Sequence, residues 1–256
     1  MARSNQYIRW MDEVLLSDLA AEHQVLDELV APLPPEVWAK PSPSPGWTLA
    51  HQIHHLDVSE GAALLALTGR SDQVFAPTGR WPDRPLPNDP AEVLDNWRTS
   101  RTASWEAMTG LDAKASVVWG DGPMTCRSFA TSRLMETWAH GLDCFTTVGV
   151  EPVDTDRLRH VAHIGYRALP YAFRSQGVNP PAPLSELRLE LVSPSGEDWI
   201  YGDDNAPQSI TGSAAHWCRV ATRRMDAADS DLVANGPLAQ AVLTVARAYL
   251  SDGATP

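Results

Sequence analysis

The sequence predicts a mainly α-helical protein with a smaller α+β domain at its C-terminal end, on three observations. Four segments between residues 11 and 147 carry apolar side chains at helical spacing; from Val178 the pattern turns to period two and turn-rich stretches; and 43% of the 256 residues are hydrophobic against 20% charged, enough for packed cores. The length accommodates two domains, a helical bundle over residues 1–177 and an α+β domain over 178–256, divided near Gly177.

Leu15, Leu19, Leu26, Leu29 and Val30 share one face of a helix over residues 11–31, with Asp12, Glu13, Asp18, Asp27 and Glu28 largely on other faces, and APLPPEVW ends it. After the breaker PSPSPG, Thr48 is the expected N-cap of a second helix to about Thr68, striped by Leu49, Ile53, Leu56 and Leu64 and closed by Gly69. A proline-rich loop, Pro77 to Pro87, leads into Asp89-Pro90-Ala91-Glu92, which sets a cap, a proline at the first helical position and an acid in the first turn. That third helix carries Leu94, Trp97, Arg101, Trp105 and Met108 on one face and stops at Gly110. Residues 111–127 hold WGDGP and read as a loop with a short strand pair; Ser128 or Thr131 then opens a fourth helix to about Thr147, striped by Leu134, Trp138, Leu142 and Phe145. Four amphipathic helices can close a bundle. A fifth pattern from Thr155, through Leu158, Val161, Ala162, Gly165 and Leu169, packs on the bundle or bridges from it, with Pro170 ending or kinking it. Beyond NPPAP, Leu187 to Val192 alternates as a half-buried strand does, and DWIYGD is its hairpin partner across SPSGE. Ser213 to Arg224 reads as a helix, DLVANG as a short strand and Pro237 to Leu250 as a closing helix.

Lys and Arg number 20 against 32 Asp and Glu, a net charge of -12, and such a field repels nucleic acid and anionic lipid. Neither is expected as a partner. No apolar run approaches the ~18 residues of a membrane span and the N-terminal MARSNQYIRWMDE lacks a continuous apolar segment, so the expected location is cytoplasmic. Cys126, Cys144 and Cys218 are far apart with no C-x-x-C pair, which favours buried thiols over a disulfide framework or cysteine zinc site.

The histidines are not evenly spread. On the second helix His51 and His55 stack on one face, away from the Leu49, Ile53, Leu56 stripe, with His54 beside them. On the fourth, Glu136, His140 and Asp143 fall at i, i+4, i+7, again offset from the apolar stripe. A Glu-x-x-x-His pair suits two adjacent positions on a divalent ion. One histidine from the second helix would complete a His/Glu/His triad with open positions, as catalytic rather than structural metal sites have. Either helix alone is explained as well by surface or core packing; three histidines within five residues together with E-x-x-x-H-x-x-D on a separate helix carry the metal reading. Secondary candidates are Asp57, Glu60 and the loops Trp81 to Pro87 and Trp119 to Pro123 as a pocket rim, His160 and His163 near the metal, and Arg98 and Arg101 as carboxylate binders or ordinary ion-pair partners.

GWTLAHQIHHL (Gly46 to Leu56) resembles the G-W-T/S...H-L signature of the DinB-like superfamily, in particular its mycothiol-dependent maleylpyruvate isomerase branch. ETWAHGLD (Glu136 to Asp143) resembles that branch's E-x-x-x-H-x-x-D segment, and Val220 to Pro237 resembles the C-terminal extension of an actinobacterial subgroup of metal-binding proteins. The resemblance implies a DinB-like four-helix bundle in which His55, Glu136 and His140 are the metal ligands, His51 and His54 being neighbours or alternates. It further implies that Asp143 lies next to the metal as a proton shuttle or cofactor-orienting acid, and that an arginine of the C-terminal domain, Arg223 or Arg224, reaches the active site. The expected activity is that of a metalloenzyme holding a divalent ion, zinc, and using mycothiol or a similar thiol for isomerisation or S-transfer on a small electrophilic substrate, as a monomer or homodimer. The alternatives are a thiol-independent metal-dependent hydrolase or lyase, and a non-catalytic metal or small-molecule binding protein.

Overall fold

A computed structural model describes residues 2–74, 84–120 and 122–248, with side chains from Glu13 onward. Trp81 to Asp83 of the expected rim loop, Asp121, Leu250 and the Asp12 side chain therefore lie outside the described residues. Two compact units divide between Pro152 and Val153. Among the described residues no helix is long and apolar enough to cross a membrane.

The first unit contains α1 (Ala2–Val30), the single turn α2 (Pro35–Trp38), α3 (Leu49–Leu67), α4 (Pro90–Thr109), the hairpin β1 (Ser116–Trp119) and β2 (Gly122–Thr125), and α5 (Cys126–Val148). Helix α3 packs against both α4 and α5, and α1 packs on α5 and α4, so the four long helices close a bundle. The apolar stripes meet inside it: Leu26, Val30, Trp38, Leu49, Ile53, Leu56, Val93, Leu94 and Trp97 form one buried cluster. Each such side chain contributes roughly 1.5–3 kcal/mol by leaving water. The ends follow local chemistry. Asp89 accepts from Ala91 N–H at 2.9 Å with Pro90 at the first position of α4, as expected. Helix α5 opens at Thr125, whose hydroxyl accepts from Ser128 N–H, a few residues earlier than expected, because the hairpin delivers the chain directly into the helix. It closes on Gly149, at φ 73, whose left-handed turn lets Val150 N–H reach back to Phe145 C=O. Unlike α1 and α4, α5 is buried around nearly its whole girth from Phe129 to Cys144, so its polar face (Arg133, Thr137, His140, Asp143) is interior too.

The second unit contains α6 (Leu158–Arg167), α7 (Leu169–Ser175), β3 (Leu187–Val192), β4 (Asp198–Tyr201), β5 (Gln208–Ser213), α8 (Ala214–Ala221), β6 (Val233–Asn235) and α9 (Pro237–Val245). The strands form one sheet in the order β4-β3-β5-β6, antiparallel except for β3 beside β5. The β3–β4 hairpin matches expectation, with Leu191 opposite Trp199. Strand β5 was not expected: QSITGS has too little apolar content to announce a strand, yet it lies in the middle of the sheet with Ile210 fully buried. The division also differs from the one expected near Gly177, because α6 packs on α8 of the second unit. Gly165 permits this approach, since a Cβ there would stand 2.9 Å from the Ala221 Cβ. Trp217 Nε1 donates to Ala162 C=O at 3.1 Å, and Arg219 pairs with Asp154 at 2.9 Å. Helix α6 ends at Arg167, before Pro170, which lies in the first turn of a separate helix, α7.

Candidate metal centre

The three histidines of α3 take three different jobs. Thr48 caps the helix, and His51, three residues on, completes the cap: its Nδ1 accepts from Thr48 N–H at 3.2 Å and lies 2.8 Å from Thr48 Oγ1. His51 is depressed below the ordinary histidine range by burial and by the neighbouring His54. His54 turns the other way, donating from Nε2 to Arg84 C=O at 2.9 Å, while the Arg84 guanidinium pairs with buried Asp57 at 2.7 Å. His55, one turn beyond His51, faces α5.

There it meets Glu136 and His140. His55 Nε2 is 3.5 Å and His140 Nε2 3.4 Å from the same Glu136 oxygen, and the two imidazole centroids are 4.4 Å apart. One ligand atom from each of the three lies within 4.8 Å of the others, and no other such group of three occurs among the described residues. Tetrahedral zinc with bonds of ~2.0–2.1 Å holds its donor atoms about 3.3 Å apart, close to the 3.5 and 3.4 Å that separate the two imidazole nitrogens from the Glu136 oxygen, so the donor set suits a divalent ion. Burial alone would push the Glu136 carboxyl up, but His140 and His55 beside it, with Arg133 behind, hold it well below the usual carboxylate range. The triad is partly exposed, with side-chain exposures of 24% for His55, 21% for Glu136 and 11% for His140. Buried Trp47 packs on both imidazoles. Its ring is 5.2 Å from that of His55 and stacks on that of His140 at 6.1 Å.

The sequence profile of the mycothiol maleylpyruvate isomerase N-terminal domain matches residues 19–145, a span that includes all three side chains. Two uncharacterized proteins of Mycobacterium tuberculosis, from strains CDC 1551 / Oshkosh and ATCC 25618 / H37Rv, are each 41% identical over 244 residues, covering 91% of this chain and 94% of theirs. The chain belongs to this mycothiol maleylpyruvate isomerase-type, DinB-like family. Solved structures of mycothiol-dependent maleylpyruvate isomerase and of its histidine-to-alanine mutant superpose with TM-scores of 0.55, covering 87% of this chain and 92% of theirs. At 19% and 18% identity that likeness is one of fold.

Of the family residues expected from the resemblance, Asp143 stands behind His140, its Oδ2 4.0 Å from His140 Nδ1, and accepts from Ser44 Oγ at 3.4 Å. Arg223 and Arg224 belong to the second unit. They form the turn that ends α8: Arg223 sits at φ 62, its N–H bonding Val220 C=O and Arg224 N–H bonding Arg219 C=O. His160 and His163 lie in that unit as well. Arg98 and Arg101 both clasp Asp27, at 2.7 and 2.5 Å, which is the ordinary ion-pair role. Cys144 is fully buried and its thiol is pushed far up, unsuited to nucleophilic attack. Glu60, expected at a rim, is fully buried against Arg133 at 3.0 Å.

Sequence reasoning missed Gln52, Trp47, Ser42 and Ser44. Gln52 Oε1 lies 2.6 Å from His140 Nδ1, and Gln52 Nε2 donates to Ser42 Oγ and Ser44 Oγ, both at 2.9 Å. Available signals were the position of Gln52, three residues before His55 on the same helical face, and two serines in a string that otherwise only breaks helices.

Proposed function

We propose that this protein is a thiol-dependent metalloenzyme acting on a small electrophilic substrate. The observation that carries the reading is the convergence of His55, Glu136 and His140 donor atoms on one partly open point between α3 and α5. These three would hold a divalent ion, zinc by preference for two imidazoles and a carboxylate, and three protein ligands leave a position for a further donor. When bound, the ion supplies the Lewis acidity by which a low-molecular-weight thiol of the mycothiol kind is held as thiolate near neutral pH, for isomerisation or S-transfer. Membership of the family and the names of its solved structures support a mycothiol-type thiol and isomerisation.

The chain's own side chains do the rest. Glu136 stays ionised because two imidazoles face it, so it enters the site as an anion at neutral pH. Trp47 packs its ring on both imidazoles and limits how they can turn. Asp143 lies on the Nδ1 side of His140, away from the shared Glu136 oxygen, which favours an orienting role over direct proton transfer. The experiment is a thiol titration of the cobalt-substituted protein. A thiol-dependent change in the visible spectrum, lost in His140→Ala, is the expected result; bound cobalt with no response to thiol would turn the reading to a thiol-independent hydrolase or lyase.

A further inference from the structure

The amide of Gln52 has no exposed surface and makes three polar contacts, every one of them within one chain of hydrogen bonds. Asp143 Oδ2 accepts from Ser44 Oγ, Ser44 Oγ accepts from Gln52 Nε2, and Gln52 Oε1 faces His140 Nδ1. The direction of this chain is not free. A carboxylate only accepts, so Ser44 gives its proton to Asp143 and must take one from Gln52. The Gln52 amide nitrogen therefore points at the serines and its carbonyl at His140. A reversed amide would demand the Ser44 proton for its own carbonyl and strip Asp143 of that bond. With a carbonyl 2.6 Å away and Asp143 at 4.0 Å, this chain of bonds assigns the hydrogen of a neutral His140 to Nδ1, in competition with Glu136, whose oxygen stands 3.4 Å from Nε2. A cation in the space shared with His55 and Glu136 needs the Nε2 lone pair and so favours the Nδ1–H form.

We infer that Gln52 is a positioning residue of the metal centre, fixing the His140 tautomer and ring orientation with Ser42, Ser44 and Asp143 as its support. The inference rests on the metal reading for its purpose and on the hydrogen-bond network for its geometry. The PSPSPG segment thereby has a function beyond breaking a helix: Ser42 N–H bonds Trp47 C=O and Trp47 N–H bonds Ser44 C=O, so one short turn presents both serine hydroxyls and the tryptophan that covers the imidazoles. Partners that orient a ligating histidine typically change metal affinity 10–100-fold when removed.

The test compares wild type with Gln52→Met, which keeps length and volume but has no amide, and Gln52→Glu, which restores an acceptor for His140 while giving up the amide donor to Ser42 and Ser44. Long-range proton–nitrogen NMR of the metal-free proteins at about pH 9, above the ordinary histidine range, reports the tautomer. Competition with a chelator reports zinc affinity. The expected result is Nδ1–H on His140 in wild type and Gln52→Glu, loss of that preference in Gln52→Met, and zinc affinity about 10–100-fold weaker in Gln52→Met with recovery in Gln52→Glu. Gln52→Met with an unchanged tautomer would overturn the assignment, as would weakened zinc binding that Gln52→Glu fails to rescue. Should Gln52→Met unfold, Gln52→Glu and Ser44→Ala carry the same readouts, and a wild-type His140 protonated on Nε2 refutes the inference without any variant. If the tautomer shifts as expected but wild type binds no zinc, the metal reading fails while the positioning role of Gln52 stands.

Discussion

Arg133→Met will destabilise the bundle far more than the interaction it removes contributes. The Arg133 and Glu60 side chains are 2% and 1% exposed, with Arg133 Nε donating to Glu60 Oε1 at 3.0 Å. The guanidinium also bonds Ser59, and Ser104 donates to the other Glu60 oxygen. At that separation two unit charges attract by roughly 5 kcal/mol for an effective dielectric of about 20. Withdrawing both ions from water costs several kcal/mol each, so the intact pair is worth little against an apolar pair of the same volume. Removing one partner is different, because Glu60 is then left charged, buried and held by Ser104 alone. The expected loss for Arg133→Met is about 3–5 kcal/mol, and Glu60→Leu combined with Arg133→Met should recover part of it, short of ~1–3 kcal/mol for the Ser59 hydroxyl that loses the guanidinium, Ser104 keeping Arg101 C=O at 3.2 Å. Urea unfolding of the full chain followed by circular dichroism measures the energies, and hydrogen exchange of α3 and α5 assigns them to the bundle. The pair joins the same two helices that carry His55 and Glu136, so zinc affinity should fall with Arg133→Met and return in the double variant. A loss below about 1 kcal/mol, or a double variant as unstable as the two singles summed, would refute the reasoning.

His23, buried against Trp97, is lowered from 6.5 to about 4, chiefly by burial. The unfolded chain takes up that proton first, so stability is full above about pH 6.5 and roughly 3 kcal/mol is lost as the pH falls toward 4; His23→Phe should flatten the pH dependence of urea unfolding in that window, and an unchanged slope would assign it to other groups. Arg223 bears a Cβ at φ 62, so Arg223→Gly should gain up to about 1 kcal/mol. The catalytic role expected for Arg223 predicts that Arg223→Ala lowers turnover with zinc content unchanged, and undiminished turnover would remove it from the mechanism. Asp143→Asn should weaken zinc binding and turnover in parallel, by about tenfold each; turnover falling ~10²-fold with zinc affinity intact would return Asp143 to proton transfer.

Much of the bundle was legible because its helices obey local rules: the Asp89-Pro90 start of α4 and the Leu49, Ile53, Leu56 stripe need only spacing and capping. The start of α5 was misread because Thr125 belongs at once to a strand and a cap, and β5 escaped because its neighbours in the sheet, not its own residues, make it a strand. Glu136 and His140 could be paired from their spacing, since one helix turn brings them together. Choosing among His51, His54 and His55 could not be done from spacing, for the outcome depends on the Thr48 cap and the Arg84 carbonyl, 30 residues away from His54. The same holds for Gln52, whose partner His140 is 88 residues distant. Capping chemistry is local and polar networks between helices are not.

The central claim is that His55, Glu136 and His140 bind one divalent ion. Its most direct test is elemental analysis of zinc-loaded, chelator-washed wild type beside His55→Ala, Glu136→Gln and His140→Ala, with helical content recorded for each. The account predicts about one zinc per chain in wild type and far less than one in every variant at preserved helicity. Stoichiometric zinc in His140→Ala, or none in wild type, would contradict it.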